Sequence, residues 1–189
     1  IDVFMGHGQF ASANEINVGD ATLSFSKAVI TSGARAAKLD IAGFEETDVL
    51  TNETVFSLTE LPQRMVVIGG GPIGCELAQV FAQLGSQVTQ LERSDRILPR
   101  EEDDASALVS ASLQRDGVQI FTSTQIVGFS QNGNTKTVSL KDQNGLREIE
   151  CDVVLSAVGR APNVNGMGLE AAGIQYDAKK GITVNDRLQ

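Results

Sequence analysis

The stretch Met65-Val66-Val67-Ile68-Gly69-Gly70-Gly71-Pro72-Ile73-Gly74 decides the fold. Its first four residues are a short unbroken apolar run, the pattern of a strand buried on both faces of a parallel sheet. The next six fit G-x-G-x-x-G, with Gly69, Gly71 and Gly74 at the glycine positions. That spacing alone is weak, because glycine-rich turns are common. Directly after a buried strand and at the opening of a helix, it predicts a dinucleotide-binding unit. Gly69 permits the tight turn, Gly71 lets the backbone approach a diphosphate, and Gly74 lets the helix pack closely on the strand. Pro72 presets φ at a position where its absent N–H costs nothing. The free amides at the helix start, Ile73 among them, and the positive end of the helix dipole would hold the anion. The bland alternative is a turn that merely joins strand to helix in some other α/β protein.

Working outward, Ile73, Leu77, Val80, Phe81 and Leu84 form one apolar stripe at helical spacing, with Cys75 pointing away from it and Gly85 placed as the C-terminal cap. Val88-Thr89-Gln90-Leu91 is a second strand. It ends in Glu92, 18 residues past Gly74. A carboxylate there accepts both hydroxyls of an adenosine ribose and repels a 2′-phosphate, which favours NAD(H) over NADP(H). Arg93 and Arg96 follow, and guanidinium groups would suit a 2′-phosphate. Glu92 outweighs them because it occupies the strand end, although a solvated surface acid is its plain alternative.

The rest of the chain extends an α/β pattern. A loop runs through Pro99 into a helix from about Ala105 to Arg115, capped by Asp103 or Asp104, and Val118–Phe121 is a third strand. Periodicity then becomes two: Gln125–Ser130, Lys136–Leu140 and Leu146–Glu150 are separated by Asn132-Gly133 and Asn144-Gly145, which predicts an antiparallel meander. Asp152–Ala157 returns to the buried-strand pattern. Upstream, residues 1–44 read as short strands and turns. They include the loop Gly6-His7-Gly8, a hairpin from Glu15–Val18 into Ala21–Ser24, and a strand Ala28-Val29-Ile30 running into Ser32-Gly33. Residues 45–64 read as a polar connector with a short helix near Thr51–Leu58.

Composition narrows the partners. The 189 residues are 41% hydrophobic and 21% charged, an ordinary globular balance. No run is long enough to span a membrane, and no basic region leads into an apolar stretch at the start. The net charge of −9 sets a field that would repel nucleic acid and anionic membrane. The two cysteines, Cys75 and Cys151, match neither a zinc site nor a redox pair and read as structural, which points to a reducing cytoplasm. No metal site and no catalytic residue is expected. The chain begins with Ile1 rather than methionine, so it is expected to be a piece of something longer.

These residues resemble the pyridine nucleotide–disulfide oxidoreductases, a family of flavoproteins. Ala28–Arg35 with Ile41-Ala42-Gly43 is similar to a strand and glycine turn of the family's flavin domain. Val67–Glu76 is similar to its nucleotide loop, and Cys151–Asn163 to the segment returning toward the flavin. Leu50–Phe56 and Ile97–Glu101 most resemble the mercuric-reductase-like and dihydrolipoamide-dehydrogenase-like branch. The resemblance implies a Rossmann-like NAD(P)-binding domain at 51–182, a partial flavin-domain segment at 1–50, and a return toward the flavin domain at 183–189. It also implies a relay in which NAD(P)H reduces FAD, which reduces a cysteine pair, which reduces the substrate.

Carried over by position, Glu76 matches the acid near the nicotinamide, with a solvated first-turn acid as the alternative. Ile126 matches an apolar residue near the adenine, with strand core as the alternative. Gly159 matches backbone near the nicotinamide, and Ser32 and Gly33 match flavin-facing backbone. Arg93 joins them as a neighbour of the ribose site. The family's own flavin-binding glycine loop, its Cys-x-x-x-x-Cys pair and its carboxy-terminal dimerisation domain have no counterpart here. The expectation is therefore the middle of an enzyme: FAD is a cofactor only of the full-length, homodimeric protein, whose other domains are this piece's partners. By itself the piece is expected to be inactive. Two other classes stay open, a non-enzymatic NADH-sensing module and an S-adenosylmethionine-dependent methyltransferase.

Overall fold

A computed structural model describes residues 1–189. In chain order the elements are β1 (Gly8–Ser12), β2 (Glu15–Val18), β3 (Ala21–Ser24), β4 (Ala34–Ala36), β5 (Leu50–Thr51), a 3-10 turn (Val55–Ser57), β6 (Arg64–Ile68), α1 (Pro72–Leu84), β7 (Gln87–Leu91), α2 (Asp103–Arg115), β8 (Gln119–Phe121), β9 (Gln125–Asn132), β10 (Thr135–Asp142), β11 (Gly145–Cys151), β12 (Val153–Ser156), β13 (Arg160–Pro162), β14 (Tyr176–Asp177) and β15 (Gly181–Ile182). They fall into two compact units. One is Ala36–Gly159; the other combines Ile1–Arg35 with Arg160–Gln189. The units thus part near residues 35 and 159. Packing is the reason: Leu39, Ile41, Phe44 and Val49 join the core of the first unit, while Val164, Leu169 and Ile182 join that of the second.

The Ala36–Gly159 unit is the expected α/β fold. Five strands lie parallel in the order β5-β12-β6-β7-β8. Alternate side chains of a strand leave opposite faces, so an unbroken apolar run serves two cores. Met65, Val67, Val88 and Leu155 meet Cys75, Ala78 and Leu113 on the helical side. Val66, Ile68, Leu91 and Val154 meet Ile126, Phe129, Val138 and Leu140 of the meander on the other. The meander, in the order β11-β10-β9, turns tightly at both ends, pairing Asn132 with Thr135 and Asp142 with Gly145.

Helix α1 has the expected bounds and closes on Gly85 in the left-handed conformation, φ 111°. Its buried face is rotated from the expected stripe, of which Leu77 and Phe81 still pack against the core. Gly74, Cys75 and Ala78 are buried, whereas Val80 and Leu84 are 48% and 62% exposed. Small residues let the helix lie close against the sheet, and that closeness, not the bulk of the side chains, fixes which face turns inward. Cys75 therefore sits in the core instead of pointing away from it. Helix α2 starts at Asp103, with Glu102 as N-cap; Asp103 and Asp104 lie inside its first turn, where the dipole favours them.

In the other unit, β1, β2 and β3 form an antiparallel sheet around the expected hairpin, and β14 pairs with β15. Phe10, Val164 and Leu169 form its core, with Phe25 edge-on to Phe10 at 5.9 Å. The expected strand at Ala28–Ile30 does not form: no neighbour takes its backbone hydrogen bonds, and Val29 is exposed. Conversely, β1 begins inside the expected loop at Gly8, and the expected helix near Thr51–Leu58 shortens to one 3-10 turn beside the edge strand β5.

Candidate functional site

The glycine loop leaves β6 at a point where the chain winds first to β7 on one side and later to β12 on the other. In such sheets the crevice beyond the carboxyl ends of the strands is the natural ligand site. Gly69 makes the turn at φ 112°, and a Cβ there would overlap the Ala157 carbonyl oxygen. A Cβ on Gly74 would overlap the Gly69 carbonyl oxygen, directly after β6, and would lie 3.3 Å from Gln90 Nε2 of β7, so this glycine admits both the loop backbone and the neighbouring strand. Gly71 is different. Its φ is −74° and a Cβ would meet nothing within 4 Å, so packing within the protein makes no demand for glycine. What glycine leaves clear is the space in front of the helix. The amides of Gly71, Ile73 and Gly74 form no hydrogen bond within the chain, as the first amides of a helix have no intrahelical acceptor.

Glu92 stands at the end of β7 and is half-buried. Its Oε2 accepts the Gly70 N–H at 2.5 Å and its Oε1 accepts the Ser94 N–H at 2.6 Å. Each carboxylate oxygen keeps a further lone pair, so the group is oriented yet able to accept ribose hydroxyls. Gly70, a free position in the motif, proves constrained: a Cβ would lie 2.9 Å from Glu92 Oε2 and 3.0 Å from Ile97 Cγ2. The following loop is strapped over the site by the Leu98 N–H, which donates to the Gly70 carbonyl at 2.7 Å. Arg96 donates to the Glu101 carbonyl at 3.0 Å and pairs with Asp103.

Together these segments enclose a cleft of about 430 Å³ lined by Gly69–Ile73, Glu92, Leu98–Glu101 and Ala157–Gly159. The structure brings Gly69, Gly71, Pro72, Ile73, Glu92 and Gly159 to this cleft, with Gly74 supporting the loop. Three expected residues are elsewhere. Glu76 is the fifth residue of α1, past the first turn, exposed and outside the lining. Arg93 is exposed and outside it too; of the arginines after Glu92, Arg100 is the one on the cleft wall. Ile126 is packed in the core beneath the meander, the alternative reading of that position. Sequence reasoning overlooked Gly70, Leu98, Arg100, Ala157 and Val158. The Ile97–Glu101 stretch carries a family resemblance, but nothing in its pattern shows that it folds back over the loop.

Ser32 and Gly33 belong to the other unit. Ser32 lines a cleft of about 590 Å³ there, with His7, Gly8, Arg35, Asn163, Asn165 and Met167. The Ser32 hydroxyl donates to the Asn163 carbonyl at 2.8 Å, and the Asn163 N–H donates to the Gly33 carbonyl at 3.0 Å. His7 Nε2 lies 2.8 Å from the Gly166 carbonyl oxygen, which ties it to the loop it faces.

Both thiols are free and buried. Burial raises the Cys75 pKa and pushes that of Cys151 up to about 11. Neither is a ready nucleophile, since the thiolate is the reactive form.

The sequence and the fold have clear relatives. The family described as pyridine nucleotide-disulphide oxidoreductase matches residues 1–189. A dihydrolipoyl dehydrogenase of Bacillus subtilis (strain 168) is 36% identical over 195 residues, covering 100% of this chain and 42% of the relative. A mercuric reductase of Lysinibacillus sphaericus is 36% identical over 186 residues, covering 98% of this chain and 34% of the relative. Among solved structures, the HOCl-induced flavoprotein disulfide reductase RclA from Escherichia coli superposes with a TM-score of 0.90 at 30% identity, over 100% of this chain and 43% of that one. The chain thus spans between about a third and about two fifths of the length of these relatives. No helix is long and apolar enough to cross a membrane.

Proposed function

The chain belongs to the pyridine nucleotide-disulphide oxidoreductase family, and on that premise we propose that its Ala36–Gly159 unit is the NAD(H)-binding domain of an FAD-dependent oxidoreductase. The observation that carries this is the set of unpaired amides at Gly71, Ile73 and Gly74 beside a carboxylate fixed at Glu92. The amides offer the diphosphate a local anion site despite the protein's net charge of −9, and Arg100 on the cleft wall adds a cationic side chain. Glu92 takes the adenosine ribose and disfavours a 2′-phosphate, giving NADH preference over NADPH. Gly159, without a side chain, leaves room beside the nicotinamide. The nicotinamide, when bound, supplies a hydride to the flavin of the whole protein; this chain binds, orients and shields it.

Ser32 and Gly33 then present backbone to the flavin. The remaining parts of the polypeptide supply the rest of the flavin site, the redox cysteines and the dimer contacts, in a homodimer that works in the cytoplasm. The buried, unpaired thiols fit that reducing setting. The terminal acceptor is a disulfide or a metal ion, reduced beyond this chain. Stopped-flow mixing of the intact protein with NADH or NADPH tests the reading. Bleaching of the flavin absorbance that saturates at lower NADH than NADPH is expected. Bleaching by neither nucleotide contradicts the assignment, and saturation at lower NADPH reverses the preference.

A further inference from the structure

Gln90 lies in the middle of β7 and is fully buried. Side chains alternate along a strand, so Val88, Gln90 and Glu92 share the face that looks at α1. Val88 packs there with Cys75 and Ala78, the ordinary use of such a position. A buried carboxamide costs free energy unless both its ends find partners. Gln90 is satisfied at one end only. Its Nε2 lies 3.1 Å from the Gly69 carbonyl oxygen and 3.6 Å from Cys75 Sγ, while its Oε1 has no partner. The Cys75 thiol points to the next carbonyl, that of Gly70, at 3.5 Å.

The consequence follows from peptide geometry. In a trans peptide the C=O and the following N–H point in opposite directions. Holding the Gly69 carbonyl inward turns the Gly70 N–H toward Glu92, where it is found. Holding the Gly70 carbonyl, through Leu98 and Cys75, leaves the Gly71 N–H facing the other way, unpaired. We infer that Gln90 is a positioning residue for dinucleotide binding. Its carboxamide fixes the Gly69–Gly70 peptide, so that Glu92 is engaged and the following amides face the diphosphate. The inference rests on the nucleotide-site reading above and adds to it a residue that touches no cofactor.

Gln90→Met keeps the length of the side chain and cannot donate, and Gln90→Leu covers any repacking peculiar to methionine. Binding of ADP-ribose to the intact protein, which carries the diphosphate and the ribose but no hydride, should weaken about 3- to 10-fold in both variants. Hydrogen exchange at the Gly70 amide, the one held by Glu92, should quicken without ligand present. The thermal midpoint should stay level or rise, because the orphaned carbonyl is gone. Binding and exchange both unchanged would overturn the inference, as would weaker binding that merely tracks a lower thermal midpoint. If the parent protein does not bind ADP-ribose, the site reading itself falls and the inference falls with it.

Discussion

Glu92 accepts the Gly70 amide at 2.5 Å, tying the end of the second strand to the loop at the end of the first. The acid is therefore part of the loop's architecture as well as the proposed ribose ligand. Its second oxygen is held by the Ser94 amide, so the carboxylate has one orientation before any nucleotide arrives.

Glu92→Ala should accordingly do two things. Losing a charge-assisted hydrogen bond of about 1.5–3 kcal/mol, together with the ribose contact, weakens ADP-ribose binding by about 10- to 100-fold. It also removes the discrimination against a 2′-phosphate. Titrations with NADH and NADPH should show the two affinities converging, and an undiminished gap would remove Glu92 from the specificity argument.

Two glycines should separate folding from binding. Gly74→Ala puts a methyl into the Gly69 carbonyl and should destabilise the fold by about 1–3 kcal/mol. Gly71→Ala enters open space and should cost under about 1 kcal/mol of stability, yet weaken ADP-ribose binding about tenfold by obstructing the diphosphate. Urea unfolding and calorimetric titration of both variants check this contrast.

Arg64 and Asp152 join the starts of β6 and β12. Asp152 accepts the Arg64 backbone N–H at 2.8 Å and its guanidinium at 2.8 and 3.2 Å. The Arg64 side chain holds the Asp152 carboxyl below the usual range. A folded-state pKa lower than the unfolded one stabilises above the unfolded value, near 3.9, and that contribution is lost as pH falls through the folded value. Asp152→Asn should lower stability at neutral pH by about 1 kcal/mol, since the pair is partly solvated, and should flatten the acid limb below about pH 4. Urea midpoints of parent and variant from pH 2 to 7 give the comparison.

The thiols should be silent in the native protein. Cys75 and Cys151 are buried and both pKa values are raised, so an aromatic disulfide reagent at pH 7 should label neither until denaturant is added. Labelling of either at the rate of a small free thiol would contradict their structural role.

The parallel sheet, the glycine loop and the meander were legible because each has a local signature: an apolar run, a glycine spacing, and Asn-Gly between alternating strands. Glu92 was legible for the same reason, as the acid at a strand end. What was hidden depends on contacts between distant segments. The inward face of α1 is set by small residues meeting the sheet, so the large stripe misled about Cys75 and Val80. The wall formed by Leu98–Glu101 depends on one backbone bond from Leu98 to Gly70. Ala28–Ile30 has strand-like composition but no strand beside it, and composition cannot supply a neighbour.

A crystal structure of the intact protein soaked with NAD⁺ tests the central claim most directly. The diphosphate should lie within about 3 Å of the Gly71 and Ile73 amide nitrogens, with the adenosine ribose hydroxyls on Glu92. A dinucleotide bound away from the α1 N-terminus, or a crevice empty at saturating NAD⁺, would contradict the account.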